Sequence, residues 1–410
     1  MEEIILNKIE LEKTTFGTKA IYKFDAPAKF KKFLRNDEPL FVEYPTDLLE
    51  CPIGVLTIPF AGIISTVAMI LQCSIYVPAL DRTFFESLPE IEAVYRKIYH
   101  CSQIEIKVNA GELEEFTYPS SGTVSQFFTG GVDATSAFVA ISERKPQLIN
   151  IWGGDIWISD EDSHASLEAY LDRFSTDNGV SYYFIKTNAR EIFKEDELGL
   201  ECEKILGHRY NHGWWASIAH ILSMTSSIAP WMWLNRIAEH HIGSSYDVKK
   251  QTFDANNEQL VNAIKYCSCR FHLVDNDVER NAKVKKIVDY CKARDTSVQL
   301  KVCWQRVAGC NCSACEKCYR TIMNLIVNHA DPNQYGFEVD ENTIKEIRSF
   351  LRTRTVNAAF WKDIQQAFKK DAKYWRHSEL AWMLKIKINS IYAYLNRIVQ
   401  LICKRIDIRY

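Results

Sequence analysis

The chain has 410 residues, of which 47% are hydrophobic and 25% charged, and this composition excludes a disordered or fibrous protein. At about 100–200 residues per domain, the chain is long enough for two or three domains. The net charge of -2 excludes a general electrostatic attraction to nucleic acid or to an anionic membrane, although it leaves a local basic patch open.

Cysteine is frequent in this chain and unevenly distributed. Five of its 13 cysteines fall between Cys303 and Cys318. The first residues, MEEIILNKIELEK, are charged from the second position, so we expect no secretion signal and predict a cytoplasmic protein with reduced thiols. In a reducing compartment, clustered cysteines indicate a metal site rather than disulfides.

The first region, residues 1–120, contains a long stretch without a charged residue, Cys51–Leu80. Roughly 20 apolar residues can span a membrane, but three prolines interrupt this stretch, at positions 52, 59 and 78. We therefore expect no membrane span. The predicted elements are a buried strand at Ile53–Ile58, a buried helix at Ala61–Leu71 and a strand at Ser74–Val77.

The rest of this region also reads as mixed α/β structure. Apolar residues at helical spacing predict a helix that begins at Asp81, and Gln103–Val108 alternates as a strand does. The turn-rich segment Tyr118–Gly122 is a natural boundary. We predict that residues 1–120 form an N-terminal α/β module.

From Val124 the pattern changes to an alternation of strands and helices, which predicts a mostly parallel sheet with helices on both faces. Ligands bind beyond the carboxyl ends of the strands in such sheets. Turns with glycine follow three of the predicted strands, at Gly130-Gly131, Gly153-Gly154 and Gly243–Ser245. The predicted strands are Val124–Phe128, Gln147–Trp152, Ser181–Lys186, Arg236–Ile242 and Val298–Val302, and the predicted helices are Ala134–Ser142, His164–Asn178, Trp214–Ile228 and Tyr319–Asn328.

The glycine turn after the first of these strands, in FTGGVDATSAF, has the features of a phosphate-binding loop. Glycine lets the backbone approach a ligand, and the amides that begin the next helix attract an anion. Hydroxyl groups of Thr129, Thr135 and Ser136 lie around the turn. Asp133 either helps to position Mg²⁺ or caps the helix. A plain glycine turn without a ligand is the alternative, because short glycine motifs occur widely.

The cysteine cluster reads VCWQRVAGCNCSACEKCYR. Zinc prefers four soft ligands in a tetrahedron, and CxxC turns supply thiolates in pairs. Cys312, Cys315 and Cys318 supply three, and the fourth comes from Cys303 or Cys310. We favour Cys303, because Cys310 is only two residues from Cys312. We predict a closed, structural Zn²⁺ site, with unligated cysteines or an iron–sulfur cluster as the alternatives.

Two of these motifs resemble one known family. The segment TGGVDAT, residues 129–135, looks like the SGGxDS loop of the PP-loop ATP pyrophosphatases, the adenine-nucleotide α-hydrolase-like superfamily. The spacing Cys303-x8-Cys312-x2-Cys315-x2-Cys318 is similar to the zinc site of the 7-cyano-7-deazaguanine synthase-like proteins in that superfamily. Thr129 and Ala134 replace the two serines of the loop.

The resemblance covers residues 124–325 and implies both a fold and an activity. The fold is a parallel-sheet, Rossmann-like (HUP-type) domain with a zinc knuckle. The activity is cleavage of ATP to AMP and pyrophosphate, so that a carboxylate or carbonyl group is adenylated and then attacked by an amine or ammonia, as in relatives found with bacterial defence or polysaccharide genes. The cofactors would be ATP, Mg²⁺ and Zn²⁺. The catalytic residues would be Asp133 and Thr135, and the ATP-binding residues would be Phe128, Thr129, Gly130, Gly131, Val132, Asp133, Ala134, Thr135, Gly153 and Gly154.

The acceptor is a small molecule or a macromolecule. Polar residues at predicted strand ends and loops are the candidates for contacting it: Asn211, His212, Ser244, Ser245 and Arg320. One alternative function is tRNA-thiolation-type modification of a nucleobase, for which Cys267 and Cys269 would be the first reactive thiols to test. The other is a non-catalytic subunit that senses nucleotides.

We predict three domains: the N-terminal module at 1–120, the PP-loop domain with its zinc site at 121–329, and a helical extension at 330–410. Both flanking regions are candidates for contact with protein partners, and a homodimer is one arrangement. The extension is rich in lysine and arginine, which leaves contact with nucleic acid open, but interspersed acidic residues favour a solvated helical face.

Overall fold

The structure is a computed structural model that describes residues 2–35, 38–207, 213–245, 255–303 and 310–407, the last eight of these as backbone only. Contacts divide the chain into two compact units. Unit 1 contains Met1–Thr129 and Ala140–Asp277, and unit 2 contains Gly130–Val139 and Val278–Tyr410. The predicted division at residues 120 and 329 is a different one and stays a prediction.

Unit 1 is built on one mostly parallel sheet, which has eleven strands among the described residues. Its order is β10-β11-β9-β6-β7-β8-β3-β2-β1-β4-β5. The strands are β1 (Glu3–Lys13), β2 (Thr18–Asp25), β3 (Leu40–Tyr44), β4 (Ser74–Asp81), β5 (Lys107–Glu114), β6 (Val124–Phe127), β7 (Gln147–Trp152), β8 (Tyr182–Thr187), β9 (Glu239–Gly243), β10 (Lys265–Tyr266) and β11 (Cys269–Val274).

Five neighbouring strands run parallel in the order β8-β7-β6-β9-β11. The chain adds β7 and β8 on one side of β6 and then β9 and β11 on the other, so the winding reverses at β6. The carboxyl ends of these strands therefore lie at the same edge of the sheet. The predicted alternation of strands and helices is confirmed here as an α/β arrangement.

The N-terminal strands belong to the same sheet. β3 pairs antiparallel with β8, where Val42 lies opposite Thr187 and Glu43 opposite Lys186. β1, β2 and β3 form an antiparallel group, and β1, β4 and β5 are parallel. The first residues of the chain thus extend the sheet of unit 1 at β8.

The uncharged stretch is helical where a strand was predicted. The prediction of a strand at Ile53–Ile58 is wrong, because α2 (Ile53–Leu56) and α3 (Ile58–Leu71) occupy it. Pro52 precedes α2 and Pro59 lies in the first turn of α3, where proline is tolerated because its missing N–H has no helical partner. A run that is apolar on all sides has no period by which to distinguish helix from strand.

Among the described residues, one helical stretch is long and apolar enough to cross a membrane, Ile53–Leu71. It is 94% buried within the protein, as the core helix of a soluble protein would be. Gly62 explains its close packing in unit 1, since a Cβ there would lie 1.9 Å from the Ser226 hydroxyl oxygen. A soluble protein is consistent with this burial.

Further helices cover the sheet of unit 1, and a π-helical turn, Trp215–Ala219, leads into one of them. They are α1 (Ala28–Lys31), α4 (Arg82–Tyr99), α6 (Glu161–Asn178), α7 (Glu195–Leu206), α8 (His220–Ser227), α9 (Ala229–Leu234) and α10 (Glu258–Ala263).

Unit 2 is helical in its described residues. Its helices include α5 (Val132–Ile141), which counts with unit 2 as far as Val139. The others are α11 (Arg280–Ala293), α12 (Glu316–Val327), α13 (Glu341–Thr353), α14 (Ala358–Lys370), α15 (Ala372–Trp375) and α16 (Ile391–Asp407).

The predicted strand at Val298–Val302 is wrong. The backbone N–H of Leu300 donates to the carbonyl of Tyr335, and that of Lys301 donates to the carbonyl of Gly130. The segment alternates buried Val298, Leu300 and Val302 with the more exposed Gln299 and Lys301, as a strand does, but it has single backbone partners in place of a ladder of strand hydrogen bonds. Sequence pattern reports burial and cannot distinguish the two cases.

Candidate functional site

Four thiols of unit 2 lie together. The Sγ atoms of Cys303, Cys312, Cys315 and Cys318 are all within 4.8 Å of one another. The Sγ–Sγ distances include 3.9 Å from Cys303 to Cys315, 3.9 Å from Cys312 to Cys318, and 3.5 Å from Cys315 to Cys318. The cluster could hold a metal ion, as the cysteine spacing predicted.

These distances fit a single tetrahedral zinc ion. Zinc–thiolate bonds of about 2.3 Å place the corners of a tetrahedron about 3.8 Å apart. An iron–sulfur cluster would place several irons and sulfides between the thiolates and requires a wider cage. Cys310 is exposed and is not in the group, which agrees with the choice of Cys303 as the fourth ligand.

Local structure explains how the thiols come together. Cys315 is the residue before α12, and Cys318 lies in its first turn, where the helix amides and dipole favour thiolate charge. Asn311 fixes the segment that carries Cys303: its side-chain oxygen accepts hydrogen bonds from the backbone N–H of Val302, at 2.9 Å, and of Cys303, at 3.2 Å. The Asn311 amide also donates to the carbonyls of Leu300 and Gly336.

The glycine turn of unit 2 ends where α5 begins. Gly130 has φ of +75°, a conformation that favours glycine. The Gly130 carbonyl accepts a hydrogen bond of 2.8 Å from the N–H of Lys301. Val132 and Thr135 are buried, and the Thr135 hydroxyl has no hydrogen-bond partner among the described residues, whereas Ala134 is half-buried. In this arrangement Thr135 does not present its hydroxyl to solvent.

Asp133, in the first turn of α5, lies between two cationic side chains of α11. The Asp133 Oδ2 atom is 2.9 Å from Nη2 of Arg280, and its Oδ1 atom is 3.4 Å from Nζ of Lys283. The Lys283 side chain is only 1% exposed. Burying an ammonium group is costly unless it is paired, so this arrangement places positive charge where α5 begins.

Arg320, a predicted substrate residue, lies in the same unit. Its guanidinium carbon is 4.3 Å from the centre of the Phe360 ring, and that of Arg280 is 5.5 Å from the same ring. Two arginines therefore share one aromatic side chain of α14.

Sequence reasoning missed Arg280 and Lys283, because nothing in α11 resembles a motif. Their spacing of three residues, which places both on one face of a helix, was the only local signal.

The predicted ATP-binding residues of unit 1 have structural roles. Phe128 is completely buried and packs against Phe174, with ring centres 4.5 Å apart. Gly153 has φ of +105°, and a Cβ there would lie 1.8 Å from the Thr187 carbonyl oxygen. The close approach of β7 to β8 therefore requires glycine at 153 without any ligand. Thr129 is half-buried at the end of unit 1.

Gly154 contacts Arg190, which lies in the segment before α7. The Gly154 carbonyl accepts a hydrogen bond of 2.9 Å from Nη1 of Arg190, whose guanidinium also binds both oxygens of Glu195. This contact fixes the turn that follows β7.

Two predicted substrate residues follow β9. Ser244 is buried and its backbone N–H donates to the carbonyl of Val274, while the N–H of Ser245 donates to the Asn256 side chain. Two others, Asn211 and His212, lie outside the described residues. Unit 1 thus brings Gly153, Gly154 and Ser244 to the carboxyl ends of its parallel strands, and unit 2 contains the glycine turn, Arg320 and the four thiols.

The cysteines considered for thiol chemistry are buried. Cys267 and Cys269 are 2% and 0% exposed. Burial raises the pKa of both thiols, and for Cys267 the nearby Asp81 carboxylate raises it further. Thiols in such surroundings are poor nucleophiles.

No model of a protein family, no curated protein and no solved structure matched this chain.

Proposed function

We propose that this protein is an ATP-dependent adenylating enzyme of the PP-loop type, which cleaves ATP to AMP and pyrophosphate and activates a carboxylate or carbonyl group of its acceptor. The observation that carries the proposal is the pair of cationic side chains, Arg280 and Lys283, held against Asp133 at the start of α5. A glycine turn, a helix N-terminus and two cations together match the charge of a triphosphate.

The strand order supports a nucleotide as the ligand. The order β8-β7-β6-β9-β11, read from β6 outward, is that of doubly wound sheets that bind nucleotides where the winding reverses. The glycine turn is the segment that leaves β6, the strand at which the reversal occurs. A Rossmann-like, HUP-type fold is therefore part of the proposal.

In this proposal the residues of unit 2 bind the phosphates. The backbone N–H groups of Gly131 and Val132 donate to phosphate oxygens, and Arg280 and Lys283 neutralise the charge that grows on pyrophosphate as it leaves. Asp133 occupies these two cations when no phosphate is bound. The ligand then replaces one anion with another, so the buried ammonium of Lys283 never loses its counter-charge.

The chemistry needs no protein nucleophile. An oxygen of the acceptor attacks the α-phosphorus, the bond from the α-phosphorus to the β-phosphate oxygen breaks, and pyrophosphate leaves. An amine or ammonia then attacks the activated carbon, AMP departs with the carbon–oxygen bonding pair, and a proton is released to solvent. Positioning and charge stabilisation account for the rate.

The four-thiol cluster fits zinc, whereas the Asp133 carboxylate does not fit magnesium. Four thiols at tetrahedral spacing fit a closed Zn²⁺ site, which supplies rigidity to the segment before α12. Both oxygens of Asp133 already contact cations, so this carboxylate does not fit Mg²⁺ as it stands, and we derive no step through Mg²⁺.

The alternatives are less well supported. Thiolation of a nucleobase needs a reactive cysteine, and Cys267 and Cys269 are buried thiols with raised pKa values. A nucleotide-sensing subunit would use the same phosphate contacts without turnover, and the half-buried Ala134 in place of a serine is the feature that favours it.

The test is titration of the purified chain with ATP, with AMP as the comparison. The proposal expects ATP to bind at least about tenfold more tightly than AMP, because the phosphate contacts lie beyond the α-phosphate. Equal affinity for the two nucleotides, or no binding of either, would contradict it. A chain that binds ATP but yields no AMP with any cell extract would instead support the sensing subunit.

A further inference from the structure

The last helix of unit 2 leaves an apolar surface uncovered. Six large side chains of α16 are between 50% and 79% exposed: Ile391, Tyr392, Tyr394, Leu395, Ile398 and Val399. At 3.6 residues per turn they cover an arc of about 160° on one side of the helix. A soluble surface rarely leaves so many neighbouring apolar side chains in water without a function.

The opposite side of α16 attaches it to the protein. Ala393 is fully buried, and the Asn396 side-chain amide donates a hydrogen bond of 3.1 Å to the Thr353 carbonyl at the end of α13. The helix is therefore held by a narrow polar and small-residue face, while its wide apolar face points away from this contact. Further along the sequence, Ile402 and Ile406 fall in the same arc, and so does Arg405.

Exposed cationic side chains lie just before α16 and within it. Lys385 and Lys387 are exposed just before the helix, and Arg397 is exposed within it. Residues 331–410 contain 15 lysines and arginines against 9 aspartates and glutamates, a net charge of +6, whereas residues 1–330 contain 35 against 43, a net charge of -8. The excess of positive charge thus lies in the C-terminal part of the sequence, which contains α16.

Charge and shape together select one occupant. A second copy of the chain would bring two positively charged regions together, and a single partner helix covers a narrower seam than this arc. Nucleic acid would suit the charge but not the apolar side chains. An anionic lipid surface suits both, because an amphipathic helix buries its apolar face at the acyl boundary while its lysines and arginines contact the headgroups.

We propose that α16 is an interfacial anchor that docks this protein on anionic phospholipid membranes, with the apolar face formed by Ile391, Tyr392, Tyr394, Leu395, Ile398 and Val399 inserted at the headgroup level. The two tyrosines of the exposed face, Tyr392 and Tyr394, suit this depth, because their rings are apolar and their hydroxyls remain hydrated. The inference does not depend on the proposed enzymatic activity.

Vesicle flotation tests the proposal with the full chain. We expect binding to phosphatidylcholine vesicles that contain phosphatidylserine, and at least about tenfold weaker partitioning to vesicles of phosphatidylcholine alone. The double substitution Leu395→Gln and Val399→Gln should lower partitioning about tenfold or more, since it removes two inserted side chains. Glutamine retains helix propensity, and both positions are exposed, so the fold should persist.

Leu200→Gln is the matched control, because Leu200 is 61% exposed in α7 of unit 1. It should leave partitioning unchanged. Equal partitioning of the double variant and the unaltered chain would overturn the proposal. A failure to bind anionic vesicles would also overturn it. Neither of two further findings would then rescue the proposal: a dimer, seen in size measurements, that the double substitution dissociates, or an acidic protein captured by α16.

Discussion

At the start of α5, the Asp133 carboxylate lies between Arg280 and Lys283. An aspartate in a glycine-rich turn suggests a metal ligand or a helix cap when only the sequence is known. The structure adds the two cations, so the same aspartate is their counter-ion, and in our proposal a phosphate replaces it. The residue type was informative, but its partner could be found only after folding.

Substitution of Lys283 tests whether its ammonium group binds phosphate. Lys283→Met keeps most of the side-chain volume and removes the charge, and it should weaken ATP binding about tenfold or more, which is about 1.4 kcal/mol. Lys285→Met on the same helix is the control, since Lys285 is exposed and pairs with Asp289. Titration of both variants with ATP measures the difference, and equal affinities would remove Lys283 from the phosphate site.

The cysteine run contains its own control. Cys315→Ser should abolish binding of one zinc ion per chain, because it removes one of four ligands in a closed site. Cys310→Ser, five positions away and exposed, should leave the zinc content unchanged. Metal analysis of the purified variants decides between them. Zinc retained by Cys315→Ser, or lost from Cys310→Ser, would show that the ligand set is different.

In the turn after β7, backbone packing explains why residue 153 is a glycine. Gly153 and Gly122 both have positive φ, at +105° and +81°. A Cβ at Gly153 would meet the Thr187 carbonyl, whereas a Cβ at Gly122 would meet nothing within 4 Å.

Gly153→Ala should therefore lower the free energy of unfolding by roughly 3 kcal/mol or more, and Gly122→Ala by only about 1 kcal/mol. Urea denaturation of the two variants gives the comparison. Similar losses for both would mean that the approach of β7 to β8 tolerates a side chain.

Strand β9 places two neutral histidines inside unit 1. Burial lowers the pKa of His240 and of His241, and for His241 the neighbouring His272 and Arg144 lower it further, to about 4. The usual pKa in an unfolded chain is about 6.5, so between these values the unfolded state binds more protons. The contribution of these two histidines to the free energy of unfolding is therefore fully present above the unfolded pKa and declines as the pH falls through it.

The expected loss from His241 between pH 7 and pH 5 is about 1–2 kcal/mol in the free energy of unfolding. His241→Gln should reduce the slope of stability against pH, whereas His377→Gln, at an exposed position, should not. Urea denaturation at several pH values measures the slope. A slope unchanged by His241→Gln would mean that this imidazole titrates normally.

Sequence pattern located four of the five neighbouring parallel strands, β6, β7, β8 and β9, and missed β11. β7 matches its predicted bounds, and the helices and strands around it differ by a few residues. The two wrong strand predictions have different causes. Ile53–Ile58 has no charged residue and no clear period, whereas Val298–Val302 alternates apolar and polar residues as a strand does but pairs with no strand among the described residues. The cysteine spacing succeeded because all four ligands lie within sixteen residues of the chain.

The features that the sequence did not predict depend on contacts between residues far apart in the chain. β3 joins β8 across more than 140 residues, and Lys283 reaches Asp133 across 150. Neither contact has a local signal. The predicted boundary near residue 120 was placed on a change of pattern, whereas the sheet of unit 1 includes strands from both sides of it.

Charge is distributed unevenly along the chain. A net charge of -2 conceals +6 in the last 80 residues and -8 in the remainder. Salt should therefore weaken the proposed membrane contact of α16, which depends on that +6, more than it weakens the fold.

Analysis of the reaction products tests whether this protein cleaves ATP to AMP and pyrophosphate. The chain is incubated with a cell extract that supplies the acceptor and with ATP labelled at the α-phosphate or, in parallel, at the γ-phosphate, and the labelled products are separated over time. The account predicts AMP and pyrophosphate in equal amounts, formed by the unaltered chain and by Lys285→Met but not by Lys283→Met. Formation of ADP and phosphate, or AMP formation that Lys283→Met leaves intact, would contradict it.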